Sequence, residues 1–228
     1  MAKKLNNPAV PALPVAPQVY NPPWGASLLN VLRLYFNQLK SIIDYILDWI
    51  GSFDPSGLAF PNIGAYYYPD QYATATNTPT VILWDATSSL YGFTLNVDNT
   101  ATATYAGIYK ITYSLQLANN DNAAHDVICW LRLNGNTSAD DIADSSTIFT
   151  VPARKSAGIP SYVGAYSEVV FELAVGDSVG LWWGTDQAAT SGGATGTWIY
   201  ARAAQTTPMP YPETPSAIGS ITFVSAIP

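Results

Sequence analysis

The chain has 228 residues, of which 48% are hydrophobic, 13% aromatic and only 11% charged, and its net charge is −7. This composition excludes an intrinsically disordered chain, and the acidic balance argues against nucleic acid as a partner. Because so few charged side chains cannot cover the surface of a monomer, we expect part of that surface to be buried in an assembly.

Residues 1–26 are predicted to form an extended arm. Four of its prolines, from Pro8 to Pro17, recur at every third residue, which is the repeat of a polyproline II helix. All four charged residues within residues 1–43 are basic, so the arm could lie on an acidic protein surface. The segment is either a spacer or an arm that becomes ordered on another protein. The candidate anchoring residues are Lys3, Lys4, Pro8, Pro11, Pro14 and Pro17.

Residues 27–51 are predicted to form a trimerising helix, with Ser27 as N-cap and Gly51 just after its last turn. Its apolar residues fit a heptad, and a third apolar position beside the seam makes the stripe too wide for a two-stranded coiled coil. This favours a bundle of three or more helices, or a helix packed on a sheet. Four charged residues inside the span, Arg33 among them, exclude a membrane helix. The predicted trimer interface consists of Leu28, Leu32, Tyr35, Leu39, Ile42, Ile46 and Trp49.

Residues 52–61 are predicted to be a linker and residues 62–228 a β-rich head. The clearest strand is Gly107–Leu117, in which every second side chain is apolar. Tyr109, Ile111 and Tyr113 should therefore face a core, which we expect them to share with Leu173, Val179 and Leu181.

Many further short strands are predicted, with turn residues between them, which is typical of a β-sandwich or barrel. Asn134-Gly135 is a strong hairpin signal, and Asp140–Ser146 is predicted to be a loop. The other predicted strands begin near Asn62 and cover Val81–Trp84, Leu90–Leu95, Ala101–Tyr105, Val127–Leu133, Glu168–Val175, Ser178–Trp183, Trp198–Ala201 and Ile218–Val224.

Three motifs occur in an order that resembles the trimeric jelly roll of the complement globular head and tumour-necrosis-factor superfamily. They are Ala106–Ser114 (AGIYKITYS), Val127–Gly135 (VICWLRLNG) and Phe171–Trp183 (FELAVGDSVGLWW). With His125-Asp126 before the second motif, and with Val31–Leu39 (VLRLYFNQL) and Ser216–Val224 (SAIGSITFV), the chain is similar to virion proteins of bacteriophages. The resemblance covers about residues 28–225. It implies two antiparallel sheets, a three-fold trimer, and a place outside the particle as a fibre, knob or capsid decoration.

Catalytic and metal sites are weakly supported by the sequence. His125 is the only histidine, and Asp121 or Asp126 could flank it in a triad, but no nucleophile elbow is present. We therefore expect a histidine at the surface or on a trimer axis. Cys129 is the only cysteine, which excludes an intrachain disulfide. Because it lies in an apolar strand, we expect its thiol to be buried and inert. We also expect the chain to be made in a reducing cytoplasm.

Three groups of side chains have a functional and a structural interpretation. Asp140, Asp141 and Asp144 could bind Ca²⁺, although their spacing fits no known loop and a solvated loop is favoured. Glu168 and Glu172 are predicted to lie on the same face of one strand. They could act as the two carboxylates of a glycosidase, or they could simply keep an outer sheet face soluble. Four aromatic residues could stack on host sugars or fill the core and subunit contacts: Trp182, Trp183, Trp198 and Tyr200.

The sequence as a whole predicts a non-enzymatic virion protein with a jelly-roll sandwich, an extended Pro-rich arm and one helix. We expect a homotrimer on the outer surface of the virion, acting as a capsid decoration or cement protein whose arm binds the major capsid protein or another virion protein. The alternative is a tail-fibre or host-adhesion protein that binds a surface glycan, and a hydrolase is a distant third. No cofactor, metal, nucleic acid or membrane is expected as a partner.

Overall fold

The computed structural model describes residues 22–51, 60–191 and 195–227. The chain divides into two units between Ala59 and Phe60, and each unit is described by itself. The six predicted anchoring residues of the arm, from Lys3 to Pro17, lie outside the described residues. Residues 52–59 of the predicted linker also lie outside them.

The first unit contains one helix, α1, which spans Pro22–Gly51. It begins five residues before the predicted N-cap Ser27, so the predicted boundary between arm and helix was placed too late. Two prolines stand at its start, and proline is well suited to the first turn of a helix because its missing N–H would have no partner there. Gly51 forms the last residue of the helix rather than the first residue after it.

The second unit contains twelve strands and one short 3-10 helix among its described residues. The 3-10 helix is Ser138–Asp140. The strands are β1 (Asn62–Tyr67), β2 (Thr80–Val81), β3 (Ala86–Tyr91), β4 (Phe93–Leu95), β5 (Thr100–Ala103), β6 (Gly107–Asn119), β7 (His125–Leu133), β8 (Asp141–Val151), β9 (Ser161–Leu173), β10 (Ser178–Thr185), β11 (Thr197–Ile199) and β12 (Ala217–Ser225).

These strands form two antiparallel sheets with the nested pairing of a jelly roll. β1 pairs with β12, β5 with β10, β6 with β9 and β7 with β8. Sheet A has the order β9–β6–β12–β1–β3, and β11 continues the line of β12 beside β6. Sheet B has the order β8–β7–β10–β5–β4, with β2 beside β10. The chain is therefore a jelly-roll sandwich preceded by a helix, as the sequence predicts.

The inward faces of the two sheets form one core. β6 lies between β9 and β12, and its alternating pattern is confirmed, because every residue from Tyr109 to Leu117 at odd positions is buried. The core residues predicted from β9 and β10 join the same cluster. That cluster includes Tyr109, Ile111, Tyr113, Leu173, Val179 and Leu181.

The predicted strand Leu90–Leu95 is two strands in different sheets. Gly92 separates them and has a φ of +69°, a conformation that glycine adopts without strain. β3 pairs with β1 in sheet A, whereas β4 pairs with β5 in sheet B. The continuous apolar run concealed a point where the chain crosses from one sheet to the other.

The predicted loop Asp140–Ser146 is wrong, because Asp141 starts the 11-residue strand β8. β8 lies at the edge of sheet B, where solvent-facing side chains are polar, so its composition resembled that of a loop. The Asn134-Gly135 signal did not produce a two-residue hairpin either. The Asn134 side chain instead bonds to Asp177 and to the backbone N–H of Ser178, and the connection runs to Asp140.

Other strand boundaries differ more modestly. Val81–Trp84 contributes only the end of β2, and Glu168–Val175 overlaps only the last part of β9, which begins at Ser161. The segment predicted as Trp198–Ala201 forms the shorter β11.

Candidate assembly interface

The outer face of sheet A carries large apolar side chains that the described residues leave exposed. On β9, Tyr162, Tyr166 and Val170 alternate with inward-facing residues and are 49%, 61% and 53% exposed. On β12, Ile218 and Val224 are 48% and 55% exposed. Because strand side chains alternate, the burial of the opposite face forces these residues outward.

The register aligns these residues across four strands. Ser114 of β6 pairs with Tyr166 of β9 on one side and with Ile218 of β12 on the other. Ile218 in turn pairs with Tyr66 of β1, whose ring makes an edge contact with Tyr68 at a centroid distance of 5.4 Å. A row of aromatic and aliphatic side chains therefore crosses the sheet, with a small serine in the middle.

The next row is small and polar. Thr112 of β6 pairs with Ser220 of β12, and their hydroxyls are 2.7 Å apart. Glu168 at the end of this row accepts a hydrogen bond from the Tyr166 hydroxyl at 3.2 Å and lies 3.5 Å from the Lys110 ammonium. The charges on this face thus partly neutralise one another, which lowers the cost of covering the face.

We call this surface the tyrosine face, defined by Tyr66, Lys110, Thr112, Ser114, Tyr162, Tyr166, Glu168, Val170, Ile218, Ser220 and Val224. A contiguous exposed apolar patch rimmed by polar groups is typical of a protein–protein contact. Aromatic residues are also enriched in the cores of such contacts. Sequence reasoning placed the outward residues of β6 correctly but missed the face itself, since it appears only when four strands are aligned.

Helix α1 also presents apolar residues. In the predicted interface, Leu28, Leu32, Tyr35, Leu39 and Ile42 are half-buried, Ile46 is exposed, and the side chain of Trp49 lies outside the described part. The neighbouring stripe is more exposed, with Leu29 at 68% and Phe36 at 59%. The role of these residues in a trimer stays a prediction. No helix among the described residues is long and apolar enough to cross a membrane.

His125 starts β7 and lies between carboxylates from two connections. Its Nδ1 is 3.2 Å from Asp186 and its Nε2 is 3.6 Å from Asp121. Slight burial raises the pKa of Asp121, but the N–H groups of Asn122 and Ala123 and the neighbouring His125 outweigh it, so that pKa is lowered. Asp126 binds the Thr150 hydroxyl instead of His125. Carboxylates on both sides of the imidazole leave it no nucleophile to activate in this part of the chain.

The three aspartates considered for Ca²⁺ do not converge. Asp140 binds both the N–H and the hydroxyl of Thr137, and these bonds lower its pKa. Asp141 binds Arg132 and the Trp130 indole N–H, each at 2.6 Å. Asp144 is exposed. Within the described ranges, no group of three or more His, Cys, Asp or Glu side chains could hold a metal ion.

The remaining candidate residues divide between core and surface. Cys129 is buried and its burial raises the thiol pKa, as expected for an inert cysteine. Trp183 and Trp198 are buried in the head, whereas Trp182 and Tyr200 are half-buried. Glu168 and Glu172 share the outer face of β9, as predicted.

One buried charged residue was not identified from the sequence. Arg132 is only 3% exposed although it points to the outer face of sheet B. Its guanidinium lies 4.0 Å from the centre of the Trp182 ring and bonds to Asp141 and to the carbonyl of Asn136. The alternation Trp130–Arg132 on one strand face was the available signal.

Comparisons with known proteins give a structural likeness but no relative in sequence. No protein-family model matches the chain, and no curated protein matches it in sequence. Among solved structures, the chain is similar to the Eiger TNF protein of S. frugiperda, at 10% identity and a TM-score of 0.43. The likeness covers 74% of this chain and 95% of that one. The fold assignment above rests on the strand pairing itself.

Proposed function

We propose that the head assembles into a homotrimer through the tyrosine face. The observation that carries this proposal is the row from Tyr166 to Tyr66, which is aromatic and aliphatic apart from Ser114 and is aligned across four paired strands. Burying such a face against a second copy would remove from water several of the large side chains that the sandwich leaves exposed, Tyr162 and Tyr166 among them. The low charge content of the chain supports the same arrangement.

The oligomeric state tests this proposal. We expect the full chain to sediment as a trimer at micromolar concentration, and Tyr166→Glu or Ile218→Asp to shift it to smaller species, because each places a charge in the contact. Val97→Asp is the matched control, since Val97 is fully exposed at the turn between β4 and β5, away from this face. A wild-type monomer, or trimers in both face variants, would contradict the proposal.

We further propose that the trimer is a structural protein of a virion, exposed on the outer surface as a capsid decoration. The support is the resemblance of the ordered motifs in residues 106–183 to phage virion proteins, together with a basic Pro-rich arm suited to a protein surface. The partner of the arm would be the major capsid protein or another virion protein. Labelling the protein in purified particles tests this proposal, and a signal confined to the tail would favour a fibre instead.

The alternative is host adhesion through a glycan, in which Tyr162 would contact the sugar and not a second copy of the head, and one feature favours it. The rings of Tyr162 and Tyr200 lie side by side with centroids 5.0 Å apart, and Asp70 lies nearby, where it binds the N–H of Ala201 at 2.6 Å. Partial burial and the neighbouring Tyr162 raise the pKa of Tyr200. Aromatic planes beside a carboxylate suit a sugar, which has apolar faces and hydroxyl edges.

Glycan binding by the wild-type protein decides between these functions. Binding that is lost in Tyr200→Ala but kept in Tyr68→Ala would favour adhesion, and absence of binding would favour decoration. We also propose that the chain is not an enzyme, since His125 lies between two carboxylates. Turnover of glycosidic or ester substrates would contradict that proposal.

A further inference from the structure

The two sheets leave a cavity of about 50 Å³ between them. It lies in the middle of the sandwich, between the inward side chains of β1, β6 and β12 on one side and those of β5, β7 and β10 on the other. Most of its lining is apolar and buried, so water gains little by entering. The buried apolar lining includes Ile63, Ile111, Leu131, Val179, Leu181 and Ile221.

The mouth of the cavity lies at Trp84, Leu95 and Asn99, which line it but are only half-buried. Trp84 belongs to the short segment that crosses from β2 in sheet B to β3 in sheet A. Its indole rests against Gly219 of β12, where a Cβ would come within 2.8 Å of the ring. The absence of a side chain at residue 219 therefore lets the indole cover the opening.

Hydrogen bonds hold the backbone of this crossing segment, whereas packing holds the indole. The N–H groups of Ile82, Leu83 and Trp84 donate to the Leu181 carbonyl, the Gln71 side chain and the Asn99 side chain, at 2.7–2.8 Å. The Trp84 indole N–H makes no hydrogen bond with any described residue, so packing alone holds the ring. Displacing the ring would therefore break packing contacts but no hydrogen bond to a described residue.

The chemistry of the mouth differs from that of the interior. Asn99 uses its side-chain oxygen to accept from Trp84, while its side-chain NH₂ donates to no described residue. Together with the indole N–H, this leaves two donors beside an apolar chamber. A cavity of about 150 Å³ is known to hold benzene, so a ligand of that size would enter this smaller one only if the indole moved.

We propose that this cavity binds a small apolar molecule that carries one hydrogen-bond acceptor, such as a short-chain alcohol or an aromatic alcohol. The apolar part lies between the sheets, the oxygen accepts from Asn99, and Trp84 acts as a movable cover. Thr112 and Ser220 of the tyrosine face also line the cavity, but the ligand would lie on the inner side of sheet A, opposite that face, so binding does not require the proposed trimer.

Titration of the full chain with benzene and with benzyl alcohol tests the site, because the two probes share a ring and differ in one oxygen. The indole N–H signal of Trp84, assigned with Trp84→Phe, reports occupancy by nuclear magnetic resonance. We expect saturable shifts with both probes and several-fold tighter binding of benzyl alcohol. Asn99→Asp keeps the acceptor for Trp84 but loses the donor, so it should abolish that preference.

Variants that change the volume separate a site from a packing defect. Trp84→Ala enlarges the space and should bind benzene about tenfold more tightly, whereas Ala101→Leu fills it and should remove binding. Val179→Ile adds only one methylene and serves if Ala101→Leu does not fold, and Ala174→Leu, at an exposed position, is the matched control. The methyl signals of Leu131 and Leu181, which line the cavity, report binding in every variant, because Trp84→Ala has no indole at residue 84. Shifts that rise linearly in both wild type and Trp84→Ala, or unchanged binding in the filled variants, would overturn the proposal.

Discussion

At the scale of single residues, the buried guanidinium of Arg132 shows how a charge is tolerated on a sheet surface. The Trp182 ring covers it, and Asp141 neutralises it at 2.6 Å while also accepting from the Trp130 indole. One carboxylate therefore satisfies two donors from neighbouring outward positions of β7. Removing it would leave both donors without their acceptor.

We expect Asp141→Ala to lower the free energy of unfolding by about 1.5–3 kcal/mol, the usual cost of losing a hydrogen bond to a charged group. Urea titration measures the change. Asp144→Ala is the matched control, since Asp144 is an exposed aspartate on the same strand, and it should stay within about 0.5 kcal/mol of wild type. Equal effects of the two substitutions would mean that the Arg132 contact contributes little.

A second residue-scale prediction concerns alkaline pH. Burial and the nearby Cys129 raise the pKa of Tyr113 to about 12, although the hydroxyls of Ser167 and Thr147 oppose this slightly. In the unfolded chain this phenol ionises near its ordinary pKa of 10.0, so the folded state loses stability as the pH rises from 10 towards 12. Tyr113→Phe removes this titration and should lose less stability between pH 9 and 11 in urea titrations.

At the scale of elements, the sequence predicts strands with strong alternation and misses those defined by their neighbours. β6 could be predicted because its inward and outward residues differ in polarity at every step. The first half of β8, Asp141–Ser146, could not, because an edge strand takes its conformation from pairing with β7, and the polar residues of this half have no strong preference for strands. The division at Gly92 could not be predicted either, because it depends on β3 and β4 pairing with strands of two different sheets.

The candidate sites follow the same rule. Side-chain alternation predicted correctly which residues of β6 and β9 face outward. It could not predict that Tyr166, Ser114, Ile218 and Tyr66 align, since that depends on the register of strands that lie far apart in the sequence. The cavity mouth was equally hidden, because Trp84 and Gly219 meet only after the chain has crossed between sheets.

Helix α1 carries its own prediction at this scale. Its heptad residues such as Ile42 are half-buried, and the adjacent stripe is exposed, so the helix has apolar surface for further contacts. Ile42→Asp places a charge in the predicted bundle and should weaken assembly of the full chain in sedimentation. Gln38→Asp changes an exposed polar position of the same helix and should leave assembly unchanged. If both variants assemble as wild type, the helix does not take part in the trimer contact.

At the scale of the whole molecule, charge is distributed differently in the arm and in the head. All sixteen acidic residues lie after residue 43, and the only charges before residue 33 are Lys3 and Lys4. Within the head, the tyrosine face has few charges, and two of them, on Lys110 and Glu168, form a pair. A chain organised in this way can associate with its own copies through the head and leave the arm for a different, acidic surface.

The last prediction concerns that arm. The prolines in residues 1–21 fix part of the backbone before binding, so the arm loses less conformational entropy than an ordinary peptide when it becomes ordered along a groove or sheet edge. Deleting residues 1–21, just before α1 begins, should therefore leave a folded trimer by sedimentation that no longer joins virions. Replacing Lys3 and Lys4 with glutamate is the finer test, because it keeps the prolines and reverses only the charge. If the truncated protein is incorporated at the wild-type level, attachment must come from the helix or the head. If only the charge reversal is tolerated, apolar contacts of the arm hold the trimer on the particle.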